Sequence, residues 1–270
     1  MGDVSYKPLI EDMSWSYSRL EIFEECPYRW FLTYIHEPKL VKEKKFYSEF
    51  GTLMHSILER YYTCKIDKHE AMIMYLTEYP NILDVSGKPK PELIQKCFTA
   101  GKEYLENLKP LPFMMVDVEK RLNFDINGIP FVGVIDYLGM TEDGEYVVVD
   151  NKSRDLKPRS NRAKPTSKDK ELDKMLRQLY IYAHAVKKIY GKFPKYLIFN
   201  CFKNGNLVIE EFNEDVYAKT IQWAVDLIKD ISETDDFYPD RDFFRCYYLC
   251  GFNEDCEYDQ EARMSYKKGS

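Results

Sequence analysis

Two consecutive apolar segments that each end in a carboxylate constrain this sequence more than any other feature. Residues 131–136 and 146–152 are short, rich in β-branched and aromatic side chains, and separated by the turn-forming residues 142–144. This pattern is typical of two antiparallel strands joined as a hairpin. Asp136 ends the first segment and Asp150 lies near the end of the second.

The length of the turn decides whether the two acids meet. A two-residue turn would place Asp136 opposite Asn151, whereas a three-residue turn with Gly144 in the left-handed conformation would place it opposite Asp150. Side chains alternate along a strand, so Asp150 and Lys152 face the same side of the sheet. The three-residue turn therefore gathers two carboxylates and an ammonium group on one face.

Charged side chains at this place in an apolar sheet need a physical explanation, because burying unpaired charge is costly. Two acids one strand spacing apart repel each other unless a cation lies between them, and a hard divalent metal with oxygen ligands is the usual solution. The alternative is an ordinary salt bridge of Lys152 with Asp136 or Asp150 at the solvated rim. A metal site requires the three-residue turn.

The composition is typical of a soluble globular protein. The 270 residues include 44% hydrophobic and 15% aromatic side chains, enough for one large domain with helical additions. No apolar run approaches the ~18 residues of a membrane span, and the first residues lack the features of a secretory signal. We therefore expect a cytoplasmic protein without a membrane partner. The net charge of −6 argues against a protein that passively coats nucleic acid.

One segment reverses the acidic balance of the whole chain. Residues 152–177 contain ten basic and four acidic side chains, and ten minus four leaves +6. Up to about residue 170 the segment lacks apolar periodicity, which predicts a loop that is mobile without a partner. Because Arg154, Lys157 and Arg159 follow the hairpin directly, we predict that they contact phosphates of a nucleic acid. The alternative is a solvated loop without a ligand.

Hydrophobic periodicity predicts helices first and a sheet later. An amphipathic helix over about 46–62 places His55 beside its apolar stripe. This histidine is either a metal ligand or an ordinary residue at the edge of the core. Strand patterns from residue 113 predict a three-stranded meander through the hairpin, followed by a helix over about 171–190, two strands and a last helix. The order indicates class α/β or α+β, with a mixed central sheet flanked by helices.

Cysteine spacing separates the tail from the rest of the chain. Cys246, Cys250 and Cys256 follow a C-x3-C-x5-C pattern in a short polar and aromatic segment where no helix or strand pattern demands them. We divide the chain into an N-terminal helical region that carries Cys26 and His55 (1–110), a core of sheet and helices (111–235) and a C-terminal cysteine-rich tail that packs back on the N-terminal helices (236–270).

Four motifs occur in a fixed order on predicted helix, strand, strand and helix. They are His55, Gly133-x-x-Asp136, Asp150-x-Lys152 and Gln178-x-x-x-Tyr182. In this combination the chain resembles the PD-(D/E)XK nuclease superfamily and, within it, the RecB-like exonucleases, which include the nuclease domains of RecB and AddB, CRISPR-associated enzymes and phage relatives. The resemblance covers about residues 16–256 and implies a restriction-endonuclease-like core. Any one of these motifs alone would be weak evidence for the resemblance.

The resemblance implies a set of metal ligands. These are the carboxylates of Asp136 and Asp150, the main-chain carbonyl of Asn151 and the imidazole of His55. Mg²⁺ suits the carboxylates, and an imidazole ligand favours Mn²⁺. Such an ion lowers the pKa of a bound water and neutralises charge at the attacked phosphate.

The same resemblance implies catalytic roles for five side chains. Asp136 and Asp150 would act through the metal, and Lys152 would orient the attacking water and stabilise the developing charge. Gln178 would hold the water or the lysine, and Tyr182 would lie against the DNA backbone.

The resemblance extends to the cysteines. The segment around Cys26 resembles the N-terminal segment of AddB-like proteins. In those proteins one N-terminal cysteine and three C-terminal cysteines bind a four-iron four-sulfur (4Fe-4S) cluster, which links the two ends of the chain. Cys26, Cys246, Cys250 and Cys256 match that layout, except that the familiar C-terminal spacing is C-x2-C-x5-C. A zinc ion or an empty set of thiols is the alternative.

Together these features predict a divalent-metal-dependent DNA exonuclease that acts on single- or double-stranded ends in recombination, repair, phage replication or CRISPR adaptation. No helicase motif is present, so any unwinding would come from a helicase or another recombination or adaptation partner. The alternatives are a nuclease-fold subunit that binds DNA without cutting it and an endonuclease of the same superfamily.

Overall fold

A mixed five-stranded sheet forms the centre of the protein. The computed structural model describes residues 6–36, 43–252 and 256. In these residues helices flank the sheet, which confirms the predicted fold class. The strands are β1 (Met114–Ile126), β2 (Ile129–Met140), β3 (Tyr146–Lys152), β4 (Tyr196–Cys201) and β5 (Asn206–Glu211).

The strands lie in the sheet in the same order as in the chain. All neighbouring pairs are antiparallel except β3 and β4, which run parallel. Parallel neighbours need a long crossover connection, and a helix over Ser167–Tyr190 lies in this connection. The predicted meander, the crossover helix and the final two strands are all present.

The helices cover both faces of the sheet. They are α1 (Lys7–Glu11), α2 (Tyr17–Glu25), α3 (Pro27–Tyr34), α4 (Phe46–Tyr62), α5 (Lys68–Glu78), α6 (Pro91–Glu106), α7 (Ser167–Tyr190), α8 (Glu214–Ser232) and α9 (Phe243–Tyr248), with a short 3-10 helix at Tyr79–Leu83. Helix α7 begins at Ser167 rather than near residue 171, because Thr166 and Asp169 form a capping box before the apolar periodicity starts.

Two clusters of buried side chains hold the helices on the sheet. Trp30 and Leu179 belong to the cluster on the face of α7, whereas Phe50 and Tyr75 belong to the cluster on the face of α4. Val148 and Val149 of β3 are fully buried in different clusters, as the alternation of a strand requires. Burying each large apolar side chain stabilises the fold by about 1.5–3 kcal/mol.

The segment that follows α8 contacts the N-terminal helices. The Tyr28 N–H donates to the Tyr238 carbonyl over 3.3 Å, and the Glu43 N–H donates to the Gly251 carbonyl over 2.9 Å. Much of the tail predicted for 236–270 lies outside the described residues, which include only Cys256 beyond residue 252. None of the described helices combines the length and the apolar character needed to span a bilayer.

Candidate active site

The turn between β2 and β3 has the length that a metal site requires. Gly144 is left-handed, with φ of +76°, and Thr141 hydrogen-bonds Glu145 across three turn residues. Tyr137 pairs with Val149, so the preceding residue of β2, Asp136, lies opposite the following residue of β3, Asp150. The two carboxylates therefore share one face of the sheet.

The strands β2 and β3 stop pairing at the level of these acids. The last paired residues are Tyr137 and Val149, and beyond them Asp136 Oδ2 accepts a hydrogen bond of 2.7 Å from the Asn151 N–H. The N–H and C=O of one strand residue point the same way, so the Asn151 carbonyl also points toward β2. The Asn151 side chain is buried and accepts a hydrogen bond from Asn200.

His55 reaches this point from helix α4. Its Nδ1 lies 3.3 Å from Asp136 Oδ2. Burial alone would lower the pKa of His55, but the hydrogen bond to Asp136 and the charges of Asp136 and Asp150 raise the pKa to about 9. The apolar stripe of α4 faces the sheet, which brings this histidine to the two strand-end acids.

A chain of polar contacts connects Asp150 to helix α7. Lys152 Nζ lies 2.8 Å from Asp150 Oδ2 and donates a hydrogen bond of 2.8 Å to Gln178 Oε1. Gln178 Nε2 donates in turn to the Tyr182 hydroxyl over 3.0 Å. Gln178 and Tyr182 are four residues apart, so they share one face of α7. Burial raises the pKa of Asp150 above its ordinary range, whereas the charge of Lys152 opposes the shift.

Gly133 fits between the strand and the Tyr182 ring. A Cβ atom at this position would lie 2.9 Å from Tyr182 Cε1. The glycine of the Gly133-x-x-Asp136 motif therefore has a steric reason, since any side chain would displace the tyrosine.

Glu119, which belongs to none of the four sequence motifs, also lies at this site. Val118 pairs with Tyr137 and Lys120 with Ile135, so Glu119 lies opposite Asp136. Burial and the charge of Asp136 raise the pKa of Glu119 to about 7. The two-residue turn at Asn127 and Gly128 fixes this register, so the position of Glu119 opposite Asp136 could be predicted from the sequence.

The donor set fits a divalent cation. Ligand atoms of His55, Glu119 and Asp136 lie within 4.8 Å of one another. Asp150 Oδ2 is buried and, despite its ion pair with Lys152, has no aligned hydrogen bond among the described residues. Carboxylate oxygens with one imidazole are ligands that Mn²⁺ and Mg²⁺ accept. A bound cation would satisfy acids that otherwise repel each other.

A cavity of about 390 Å³ adjoins the polar chain of α7. Lys152, Gln178, Tyr182 and Gly133 line it, together with the exposed Arg121 of β1. By the register of the hairpin, Arg121 lies opposite Val134, two residue pairs away from the level of Glu119 and Asp136. A positive side chain at this place can contact a phosphate group that enters the cavity.

Arg154, Lys157 and Arg159, predicted to contact phosphates, are exposed on the segment that follows β3. Lys157 forms an ion pair of 3.0 Å with Asp155. Arg159 forms ion pairs with Asp173 and Glu210. The exposed ion pairs with Asp155 and Asp173 are weak, so a phosphate group can replace these two acids, whereas the Glu210 side chain is only 17% exposed.

The loop that carries these basic residues is anchored at two points. Leu156 is buried in the core, and Asp169 at the start of α7 accepts a hydrogen bond of 2.7 Å from the Ser160 N–H.

The cysteines lie apart from the acids, near the junction of α2 and α3. Cys26 is the N-cap residue of α3, and its Sγ accepts a hydrogen bond from the Arg29 N–H. Burial raises the pKa of the Cys250 thiol, and the nearby Cys246 and Cys26 thiols add to the shift. Cys256 follows on the tail. Within the described part of the chain, these thiols do not form a group at metal-ligand distances.

The mixed sheet, its helices and the strand-end acids define a restriction-endonuclease-like α/β protein. Residues 14–259 match the family model of the PD-(D/E)XK nuclease superfamily. The match spans most of the chain, and the protein belongs to this superfamily. Membership implies a nuclease that uses divalent metal ions and acts on DNA, as the motifs predict.

Two solved structures are similar to this chain. A proposed exonuclease from Eubacterium rectale has 12% sequence identity and a TM-score of 0.51, with 95% of this chain and 92% of that chain covered. At this identity the similarity shows the fold alone. The protein SSO0001 has 15% identity over 90% of this chain and 93% of that chain, but its TM-score of 0.32 carries no argument. No curated protein sequence matches.

Proposed function

We propose that this protein is a RecB-like, divalent-metal-dependent exonuclease that hydrolyses phosphodiester bonds from DNA ends. One observation carries the proposal: His55, Asp136, Asp150 and Lys152 converge where β2 and β3 separate, in a chain of a nuclease superfamily. The cation would be held by His55, Asp136, Asp150 and the Asn151 carbonyl. When bound, it would lower the pKa of the attacking water and neutralise charge on the phosphate.

The side chains of Asp150 and Gln178 position Lys152. Its ammonium group lies between Asp150 and Gln178, and the side chain lines the cavity. From there it orients the attacking water and stabilises the negative charge that develops on the phosphate. Gln178 holds both Lys152 and the Tyr182 hydroxyl, and Tyr182 lies against the substrate backbone.

The DNA strand passes the cavity that Arg121, Lys152 and Tyr182 line. Arg154, Lys157 and Arg159 continue the positive surface away from the acids. Backbone contacts of this kind bind DNA without reading its sequence. We propose that the protein works in the cytoplasm, in recombination, repair, phage replication or CRISPR adaptation, where a helicase or adaptation partner would supply the DNA ends.

A 4Fe-4S cluster held by Cys26, Cys246, Cys250 and Cys256 is part of the proposal. The proximity of Cys26 to Cys246 and Cys250 supports it, because these thiols come from opposite ends of the chain. A cluster would join the tail to the N-terminal helices. Zinc is the alternative occupant.

The proposal is tested with linear and covalently closed circular DNA of the same sequence. An exonuclease that needs Mg²⁺ or Mn²⁺ degrades the linear form, leaves the circle intact and stops when chelator is added. Cleavage of the circle would instead indicate an endonuclease of the superfamily. DNA binding without cleavage of either form would indicate a binding subunit.

A further inference from the structure

Glu119 has a backbone conformation that its position does not explain. It lies in the middle of β1, yet its φ is +48°, a left-handed value that non-glycine residues adopt rarely. Such conformations are strained and persist where the surrounding structure enforces them. Val118 and Lys120 on either side keep their pairing with β2, and a bulge of β1 between Met115 and Asp117 precedes them.

The surroundings of Glu119 repel its negative charge. Burial and the carboxylates of Asp136, Glu59 and Asp150 raise the pKa of Glu119, whereas the imidazole of His55 lowers it. Ligand atoms of Glu119, Asp136 and His55 nevertheless lie within 4.8 Å of one another. Carboxylates hold such positions when a cation lies between them.

The register places three acids in one row. Glu119 of β1 lies opposite Asp136 of β2, which lies opposite Asp150 of β3. Residues directly opposite each other in antiparallel strands project from the same face. Three neighbouring strands therefore each contribute one carboxylate to the same level of the sheet, and His55 covers the row from α4.

We propose that Glu119 is a further ligand of the divalent cation, with His55 and Asp136. The inference rests on the proposed function and adds a ligand from β1, a strand that none of the four motifs occupies. Two carboxylates and one imidazole form a donor set that favours Mn²⁺ over Ca²⁺. The left-handed backbone at Glu119 brings its carboxylate to that set.

The test measures Mn²⁺ affinity by isothermal titration calorimetry, without DNA. Glu119→Gln keeps the size of the side chain, and we expect its Mn²⁺ dissociation constant to rise at least about tenfold. Glu145→Gln is the matched control, because Glu145 lies beyond the site at the hairpin turn, where its half-buried side chain pairs with Lys192. The control should bind Mn²⁺ as the wild type does. Wild-type affinity in Glu119→Gln would overturn the inference.

A second variant separates ligation from folding. Glu119→Gly accepts the left-handed backbone without strain, so the metal-free protein should unfold at a higher temperature than the wild type while Mn²⁺ binding weakens as in Glu119→Gln. Wild-type Mn²⁺ affinity in this stabilised variant would also overturn the inference.

Asp136→Asn distinguishes failure of this inference from failure of the proposed function. If Asp136→Asn loses Mn²⁺ and Glu119→Gln does not, Glu119 is not a ligand and the proposed nuclease site stands. If the wild type binds no Mn²⁺ at all, the metal dependence and this inference both fail.

Discussion

His55 and Glu119 are two residues of the site whose pKa values lie well above their ordinary ranges without a metal. The neighbouring carboxylates raise the pKa of His55 from 6.5 to about 9. Burial raises the pKa of Glu119 from 4.5 to about 7. Both shifts have the same sign, so each favours the folded state at low pH, and each contribution is lost as pH rises through the folded pKa.

We therefore expect the metal-free protein to lose stability between about pH 6.5 and pH 9. The midpoint of thermal unfolding should fall by a few degrees over this range in chelator. Mn²⁺ should reverse the trend, because a cation displaces these protons and binds better as pH rises. In His55→Gln the slope should be smaller. A metal-free midpoint that stays constant or rises would contradict the assignment of charges at the site.

Gly133 gives a second test at the level of one residue. Gly133→Ala places a methyl group 2.9 Å from the Tyr182 ring, and overpacking of this kind costs about 1–3 kcal/mol. The displaced ring would also break the Gln178 contact, so DNA hydrolysis should slow. Urea unfolding and a cleavage assay measure the two effects.

Gly51→Ala is the matched control for Gly133→Ala. Gly51 lies in α4 with no atom within 4 Å of its added methyl group, so this variant should be neutral or stabilised by about 0.5–1 kcal/mol. Equal stability and activity of Gly133→Ala and the wild type would show that the ring tolerates a side chain there.

At the level of elements, β1 presents two neighbouring basic residues to different surroundings. Arg121 lines the cavity beside Lys152, whereas Lys120 pairs with Asp117 over 3.4 Å. Arg121→Gln should weaken DNA binding and reduce the slope of log K against log salt by about 0.9. Lys120→Gln should leave both quantities unchanged. Fluorescence anisotropy over a salt series measures them, and identical slopes for the two variants would place the DNA elsewhere.

The hairpin was the most predictable element of the fold. Its alternation predicted the two strands, and the turn residues left two possible registers, of which the structure has the one that brings Asp136 opposite Asp150. The contacts among His55, Lys152, Gln178 and Tyr182 depend on how helices pack, which the motifs indicated only by resemblance.

Two features of the structure were not predicted, the first residue of helix α7 and the place of Glu119 in the site. Helix α7 begins at its Thr166 cap, before any apolar residue marks it. Glu119 was missed because its strand has no motif and its left-handed backbone has no signal in residue type, since the cause lies in neighbouring strands. The register of the first hairpin was nevertheless available from the Asn127–Gly128 turn.

At the scale of the whole molecule, the proposed cluster makes a prediction about how the chain ends are joined. If Cys26, Cys246, Cys250 and Cys256 hold a 4Fe-4S cluster, anaerobically purified protein should be brown and contain about four iron atoms per chain. Cys250→Ser should lose the colour and unfold at a lower temperature. Cys64→Ser should keep both properties, because Cys64 is exposed away from the tail. A colourless protein that contains zinc would refute the cluster.

The central claim is that the acids at the ends of β2 and β3 form the active site for DNA hydrolysis. Comparing two variants of the hairpin tests this claim most directly. The single-turnover rate of linear DNA hydrolysis in Mn²⁺ is measured for Asp150→Asn and for Asp143→Asn, an exposed residue of the hairpin turn. DNA affinity in Ca²⁺ is measured beside it. We expect Asp150→Asn to bind DNA as the wild type does but to hydrolyse it about 10²–10³-fold more slowly, with Asp143→Asn unchanged. Hydrolysis by Asp150→Asn at the wild-type rate would contradict the account.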